Sequence, residues 1–230
     1  MRKITIAIDG HSSTGKSTVA KQLADYLDYI FVDSGAMYRA VTLFALQNGI
    51  ISESHFDKEK LIDSLNEIHL EFKKNAEDTA EIYLNGENVE KQIRTLEVSE
   101  YVSPIATVSA IRKKLVEQQQ QMGEKGGIVM DGRDIGSVVF PNAELKIFMT
   151  ASPEVRAKRR YEELKQRGDV ITFEEVLENV KERDEIDSTR KDSPLKIDQG
   201  AIVIDNSETN QEDQFHILLQ LAKDRIAGRV

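Results

Sequence analysis

There is no cysteine in the chain, so neither a disulfide framework nor a thiolate metal site is open to it. Positive charge is also scarce: 31 Lys and Arg stand against 40 Asp and Glu, for a formal net charge of −9. A general nucleic-acid binder needs a basic face, so the acidic balance argues against that class, although local basic clusters remain possible. No apolar run approaches the roughly 20 residues of a membrane span. Met1-Arg2-Lys3 has the charges of a signal peptide, but the apolar run behind it stops at Asp9 and reads as a core strand. No internal repeat is visible, and there is no Asn-Lys-x-Asp tetrapeptide of the kind that reads guanine. The four histidines, His11, His55, His69 and His216, are scattered, and none is assigned to catalysis. What is left is a 230-residue chain, 40% apolar and 31% charged, long enough for one α/β core with a small inserted subdomain. A cytoplasmic enzyme is expected, and a monomer, because no long apolar stripe is left over.

The most informative stretch is Gly10-His11-Ser12-Ser13-Thr14-Gly15-Lys16-Ser17-Thr18, which fits G-x-x-x-x-G-K-[ST]. The run Ile4-Thr5-Ile6-Ala7-Ile8 before it reads as a buried strand. Val19 to Leu27 after it carries apolar residues at helical spacing. Strand, loop and helix in that order are the context a phosphate-binding loop requires. Its glycines let successive backbone N–H groups turn toward an anion, and the following helix N-terminus adds positive potential. Lys16 supplies a mobile charge for β- and γ-phosphates, and the Ser17 hydroxyl is a Mg²⁺ ligand. The loop predicts nucleoside triphosphate binding and leaves the phosphoryl acceptor open.

Further along, Tyr29 to Val32 reads as a strand closed by Asp33-Ser34-Gly35, with a helix from about Ala36 to Asn48. That places Ser34 and Arg39 on the rim where α/β sheets bind ligands, with a solvated surface arginine as the alternative for Arg39. Phe56 to Ile68 reads as an amphipathic helix. His69–Lys73 and Glu81–Leu84 alternate, and Asn85-Gly86 marks a tight turn, so a small antiparallel sheet is expected as an insert. Leu96–Tyr101 and Thr107–Met122 read as helices broken near Ser103-Pro104. Ile128-Val129-Met130, ending in Asp131-Gly132-Arg133-Asp134, and Leu145–Met149 read as further strands. A helix from Pro153 carries Arg156, Lys158, Arg159 and Arg160, and a second runs from about Phe173 to Asp187. If that helix continued, Arg183 and Arg190 would return to one side. These cations read either as a generic basic face or as a lid that meets triphosphate oxygens. Ala201–Asp205 is the last strand, and Gln211 to Ile226 the last helix.

With the loop, Asp33-Ser34-Gly35-Ala36-Met37-Tyr38-Arg39 and Asp131-Gly132-Arg133-Asp134-Ile135-Gly136 in view, the chain resembles the bacterial cytidylate (CMP) kinases, within the P-loop nucleoside monophosphate kinases. Lys181-Glu182-Arg183-Asp184 and Asp187-Ser188-Thr189-Arg190-Lys191-Asp192-Ser193-Pro194-Leu195 extend the likeness nearly end to end. One departure is the loop interior, His11-Ser12-Ser13-Thr14, where the family more often has a proline and a third glycine. Those positions mainly offer backbone N–H groups, so triphosphate binding is expected to survive.

The resemblance implies an α/β P-loop fold in three layers with a five-stranded parallel sheet. The core is expected at about 1–35, 105–152 and 195–230, a monophosphate-binding insert with the antiparallel sheet at about 36–104, and a helical lid at about 153–194. It implies transfer of the ATP γ-phosphate to CMP or dCMP, with Mg²⁺ as cofactor. Arg39, Arg133 and Arg190 would grip the acceptor phosphate, with Ser34 at the same site. Ser103, Arg112 and Asp134 would face cytosine, and Arg183 and Asp187 the sugar. Arg159 would reach the transferring phosphates, and the catalytic set would be Lys16, Arg133, Arg159 and Arg190. A carboxylate at 134 suits the cytosine amino group and opposes the O4 of uracil, which separates the two bases. The alternative for Asp134 is to orient neighbouring arginines or Mg²⁺-bound water. Asp131 reads as a partner of the Mg²⁺ shell or as structural.

Three other functions compete: a kinase for another monophosphate or a small alcohol, an NTP-hydrolysing switch or motor, and a non-catalytic nucleotide-binding module. The absent guanine-reading tetrapeptide and the arginine-rich lid weigh against the switch. The complete set of Lys16, Ser17 and arginines weighs against the inert module.

Overall fold

The computed structural model describes residues 2–76 and 79–229; Met1, the head of the Met1-Arg2-Lys3 segment, lies outside them. In chain order the elements are β1 (Thr5–Gly10), α1 (Lys16–Leu27), β2 (Ile30–Asp33), α2 (Ser34–Gln47), β3 (Ile51–Ser52), β4 (His55–Phe56), α3 (Lys58–Asp63), β5 (Leu70–Lys74), β6 (Ala80–Leu84) and β7 (Glu87–Asn88). There follow α4 (Leu96–Ala106), α5 (Ser109–Gly123), β8 (Ile128–Gly132), β9 (Leu145–Thr150), α6 (Pro153–Arg167), α7 (Phe173–Thr189), β10 (Ile202–Asp205) and α8 (Gln211–Ile226). The chain divides into two compact units, Met1–Val32 with Gln120–Val230, and Asp33–Gln119.

The first unit is built on a five-stranded parallel sheet in the order β10-β9-β1-β8-β2. β1 and β8 are central and covered on both faces, which is why they read as unbroken apolar runs rather than alternating ones. Ile4, Ile6, Ile8, Val129, Leu145, Ile147 and Met149 form one core with Leu23 of α1 and Leu218 and Leu219 of α8. The register pairs Asp9 with Gly132 on one side of β1 and Gly10 with Met149 on the other. The carboxyl ends of β1, β8 and β9 therefore lie level, and loops leaving them share the edge where open α/β sheets bind ligands.

The second unit holds the antiparallel sheet β5-β6-β7 and the β3-β4 hairpin. Asn85 and Gly86, at φ 51° and 86°, make the tight turn between β6 and β7. Two elements differ from the sequence reading. The expected helix over Phe56–Ile68 is shorter, because Phe56 pairs with Ile51 in the hairpin and Asp57 caps α3 by accepting from Lys60 N–H at 2.9 Å. The break expected near Ser103-Pro104 falls later, after Ala106. Pro104 gives up one backbone donor only two residues from the helix end. Thr107 closes that end, donating its N–H (3.2 Å) and hydroxyl (2.7 Å) to the Pro104 carbonyl.

Candidate active site

Glycine is obligatory at position 10. Its φ is 147°, and a Cβ there would stand 2.0 Å from the Met149 carbonyl oxygen. Ser13 (φ 58°) and Gly15 (φ 86°) take left-handed conformations, which curl the loop into a nest of amides above the α1 N-terminus. Serine at 13 accepts a conformation that a glycine would take freely. Lys16 is buried, and its Nζ donates to the His11 carbonyl at 2.8 Å, beside the Thr14 hydroxyl on the same oxygen at 3.1 Å. Ser17 Oγ donates to Asp131 Oδ2 at 2.6 Å, and Thr18 is exposed on the first turn of α1.

Amides turned inward leave carbonyls turned outward, and cations meet them. Arg156 donates to the Ser12 carbonyl at 3.4 Å and holds Asp184 with two hydrogen bonds, at 3.0 and 2.5 Å. Asp184 also lies 3.2 Å from His11 Nδ1. Burial pushes the Asp184 carboxyl up, but His11 and Arg156 more than reverse that and hold it at about 2. Arg159 reaches the Thr14 carbonyl (3.5 Å) and is anchored on Asn206; desolvation lowers its pKa. Of the other three basic residues singled out on α6, Arg156 is thus buried inside an ion pair, Arg160 pairs with Glu163, and Lys158 is exposed.

A second cation cluster gathers on Asp187. Arg133 Nε donates to its Oδ2 at 3.0 Å, and Arg190 Nη1 lies 3.7 Å from its Oδ1. Burial raises the Asp187 carboxyl, and the charges of Arg133, Arg183 and Arg190 bring it below the usual carboxylate range. The helix expected to relate Arg183 and Arg190 by two turns ends at Thr189. Arg190 leaves it at φ −56°, ψ 144°, and its Nε donates to the Ser193 carbonyl at 2.8 Å. Asp134 is buried at the start of a single π-turn, Ile135–Val139. Asp9 secures that turn, accepting from the N–H groups of Ile135 and Gly136, each at 2.7 Å. Burial lifts the Asp9 carboxyl to about 6 against the pull of those two N–H groups.

The second unit carries its own set. Asp33 caps α2 through Ala36 N–H (2.9 Å) and pairs with Arg39 at 2.8 Å and Arg94 at 3.5 Å. Burial raises Asp33, and the two guanidinium charges reverse it. Ser34 is buried on the first turn of α2, and Ser103 is buried in α4. Arg112 is buried as well, donating to the Ala106 carbonyl at 3.1 Å with its guanidinium 5.4 Å from the Tyr38 ring centroid. Asp9, Arg94, Asp184 and Asn206 were not singled out in the sequence. Asp9 had a signal, a carboxylate ending an apolar strand against the phosphate loop.

The cytidylate kinase family model matches residues 6–224. The chain is 64% identical over 225 residues to a cytidylate kinase of Flavobacterium johnsoniae, covering 97% of this chain and 98% of the relative. It is 62% identical to that of Flavobacterium psychrophilum, covering 97% and 100%. A solved structure, an uncharacterised protein from Eubacterium ventriosum, superposes with a TM-score of 0.51 at 12% identity, covering 97% of this chain and 99% of that one, a likeness of fold alone. A complete phosphate loop at the carboxyl edge of a parallel sheet, arginines gathered on Asp187 and likeness over nearly the whole length give one answer: the chain belongs to the cytidylate kinase family.

Proposed function

We propose that the chain transfers the γ-phosphoryl group of ATP to CMP or dCMP, giving CDP or dCDP and ADP. The observation that carries the reading is the set of cations held around Asp187 in the unit that bears the phosphate loop. A phosphatase or switch needs one anion site, whereas a transferase needs a second set of donors for the acceptor. The loop amides and Lys16 hold the donor's β- and γ-phosphates, Lys16 exchanging the His11 carbonyl for phosphate oxygens.

Among the described residues no group of three or more His, Cys, Asp or Glu side chains would hold a metal ion. The Ser17 hydroxyl and Asp131 carboxylate, 2.6 Å apart, are nevertheless hard oxygen donors that suit Mg²⁺ shared with nucleotide oxygens. Bound there, Mg²⁺ would neutralise charge on the donor phosphates.

We assign the acceptor phosphate to Arg39, Arg133 and Arg190, and assign Ser34 to the same phosphate. Ser103, Arg112 and Asp134 read the cytosine, and Arg183 and Asp187 meet the sugar. Arg159 attends the transferring phosphoryl group. Guanidinium forks neutralise and align two phosphates that otherwise repel, and the loose transition state asks for little general-base work. We assign acceptor recognition to the insert at about 36–104 and the arginine-bearing lid to about 153–194. The partners are small nucleotides, with no nucleic acid or membrane, and the enzyme works as a cytoplasmic monomer.

The test is a steady-state panel of monophosphates with ATP and Mg²⁺, read by ADP release. CMP and dCMP turn over; AMP, GMP and water give little. Replacing Lys16 with Met abolishes turnover and leaves the fold intact. Equal ADP release without any monophosphate would overturn the transferase reading.

A further inference from the structure

Asn206 follows β10 and is completely buried, a polar side chain with no direct place in the chemistry above. Its amide is fully used, and its orientation is dictated. Gln214 donates its Nε2 to the Thr209 carbonyl (2.8 Å), so its Oε1 is left as an acceptor. Asn206 Nδ2 fills that acceptor at 2.9 Å and gives its other hydrogen to the Thr14 carbonyl at 2.5 Å. The oxygen Oδ1 must then face a donor, and Arg159 Nη1 is there at 3.1 Å, while Arg159 Nη2 donates to the Asn206 backbone carbonyl at 2.8 Å. The backbone is pinned in turn by Asn206 N–H on the Thr150 carbonyl (2.9 Å), and by Asp205, which accepts from the N–H (2.9 Å) and hydroxyl (2.7 Å) of Ser207.

Two phosphate-handling groups thus hang on one side chain. In a trans peptide the carbonyl and the following N–H point in opposite directions. Holding the Thr14 carbonyl outward therefore aims the Gly15 N–H into the nest. The Oδ1 and backbone carbonyl together fix the plane of the Arg159 guanidinium beside the same loop. We propose that Asn206 is a positioning residue for phosphoryl transfer, setting the Gly15 amide and the Arg159 guanidinium relative to one another. The proposal rests on reading the loop and Arg159 as groups that meet the transferring phosphates.

The experiment is a double-mutant cycle with Asn206→Ala, Arg159→Ala and the pair, measuring kcat, KM for ATP and for CMP, thermal melting, and ADP affinity by calorimetry. N206A is expected to lower kcat about 10- to 100-fold, since small misplacement of reacting groups has effects of that order, with the CMP KM nearly unchanged. The double variant should lose less than the product of the two single losses, because the part of the N206A effect that runs through Arg159 is already gone in R159A and only the part that runs through the Gly15 amide remains. Asn206→Asp keeps the acceptor for Arg159 and loses the donor to Thr14. It should retain more kcat than N206A and show the weaker ATP binding, which also serves if N206A folds poorly. A purely structural asparagine would lower melting temperature while leaving kcat per folded molecule intact, and that result overturns the proposal. Losses that multiply in full with those of R159A overturn it as well. If the wild-type chain failed to turn over CMP, the functional reading would fall separately. ADP affinity would then decide here, an unchanged value in N206A and N206D counting against the proposal.

Discussion

Arg156 offers the sharpest test of how the phosphate loop is braced. Its side chain is 2% exposed, and its donors go to the Ala151 carbonyl (2.9 Å), the Ser12 carbonyl and both oxygens of Asp184. Removing one partner of a buried, bidentate pair typically destabilises by about 3–5 kcal/mol, because the other charge is left uncompensated. Asp184 is 21% exposed and can draw water, so the lower end applies, about 3 kcal/mol. For a chain of this size that is a fall in melting temperature of about 6–12 °C. Arg156→Met keeps most of the stem volume and isolates the charge effect. Arg156→Met with Asp184→Asn removes both charges and should recover part of the loss. Urea denaturation and calorimetry at neutral pH read these differences. An R156M variant within about 1 kcal/mol of wild type, or a double variant no better than the single, would refute the reasoning. There is a pH signature as well. With a folded pKa of about 2 against an ordinary 3.8, Asp184 contributes stability that is fully present above about pH 4 and lost as pH falls through 2. Partial hydration trims the contribution to about 1–2 kcal/mol. The gap between wild type and D184N should therefore close on acidification over that window.

Asp9 has the opposite sign. Burial raises it from 3.8 to about 6, so the folded chain keeps its proton longer than the unfolded one. This group's contribution is fully present below about pH 4 and declines by up to about 3 kcal/mol as pH rises to 6. Asp9→Asn should flatten that part of the stability profile in urea titrations from pH 4 to 7; parallel profiles for the two proteins would contradict the assignment. Asp134→Asn should cut the preference for CMP over UMP, measured as the ratio of kcat/KM values, by at least about 10-fold. Equal losses for both substrates would leave Asp134 a structural residue rather than a base reader.

Much of the fold was legible because its signals are local. β1, the phosphate loop and α1 are contiguous, and each carries its signal in its own residues, although the ladder partners of β1 lie far along the chain in β8 and β9. The limits read for the last helix, Gln211 to Ile226, are those of α8, with Asn210 capping its first turn by accepting from Asp213 N–H at 2.9 Å. The insert's Asn85-Gly86 turn was equally visible, since both positions need φ above zero. Errors came where a tertiary partner outbid a local preference. Phe56 has a place in a hairpin with Ile51, and Pro104 sits close enough to a helix end to be carried along.

Residue types and spacing determined, on their own, a phosphate-binding loop set between a strand and a helix, and left the arginines of the later helices readable either as a basic face or as a lid. Where each arginine's side chain goes was a matter for the tertiary structure. Arg156 and Arg159 are three residues apart on one helix, yet the first is locked in a buried ion pair and the second is laid against the phosphate loop. Asp9 shows in the chain only as a carboxylate ending an apolar strand and Asn206 shows nothing, and their partners lie 126 and 192 residues away. Periodicity reports which face of an element turns inward. Only the packed sheet, with its strand ends level at one edge, decides which polar groups meet there and what each is left free to do.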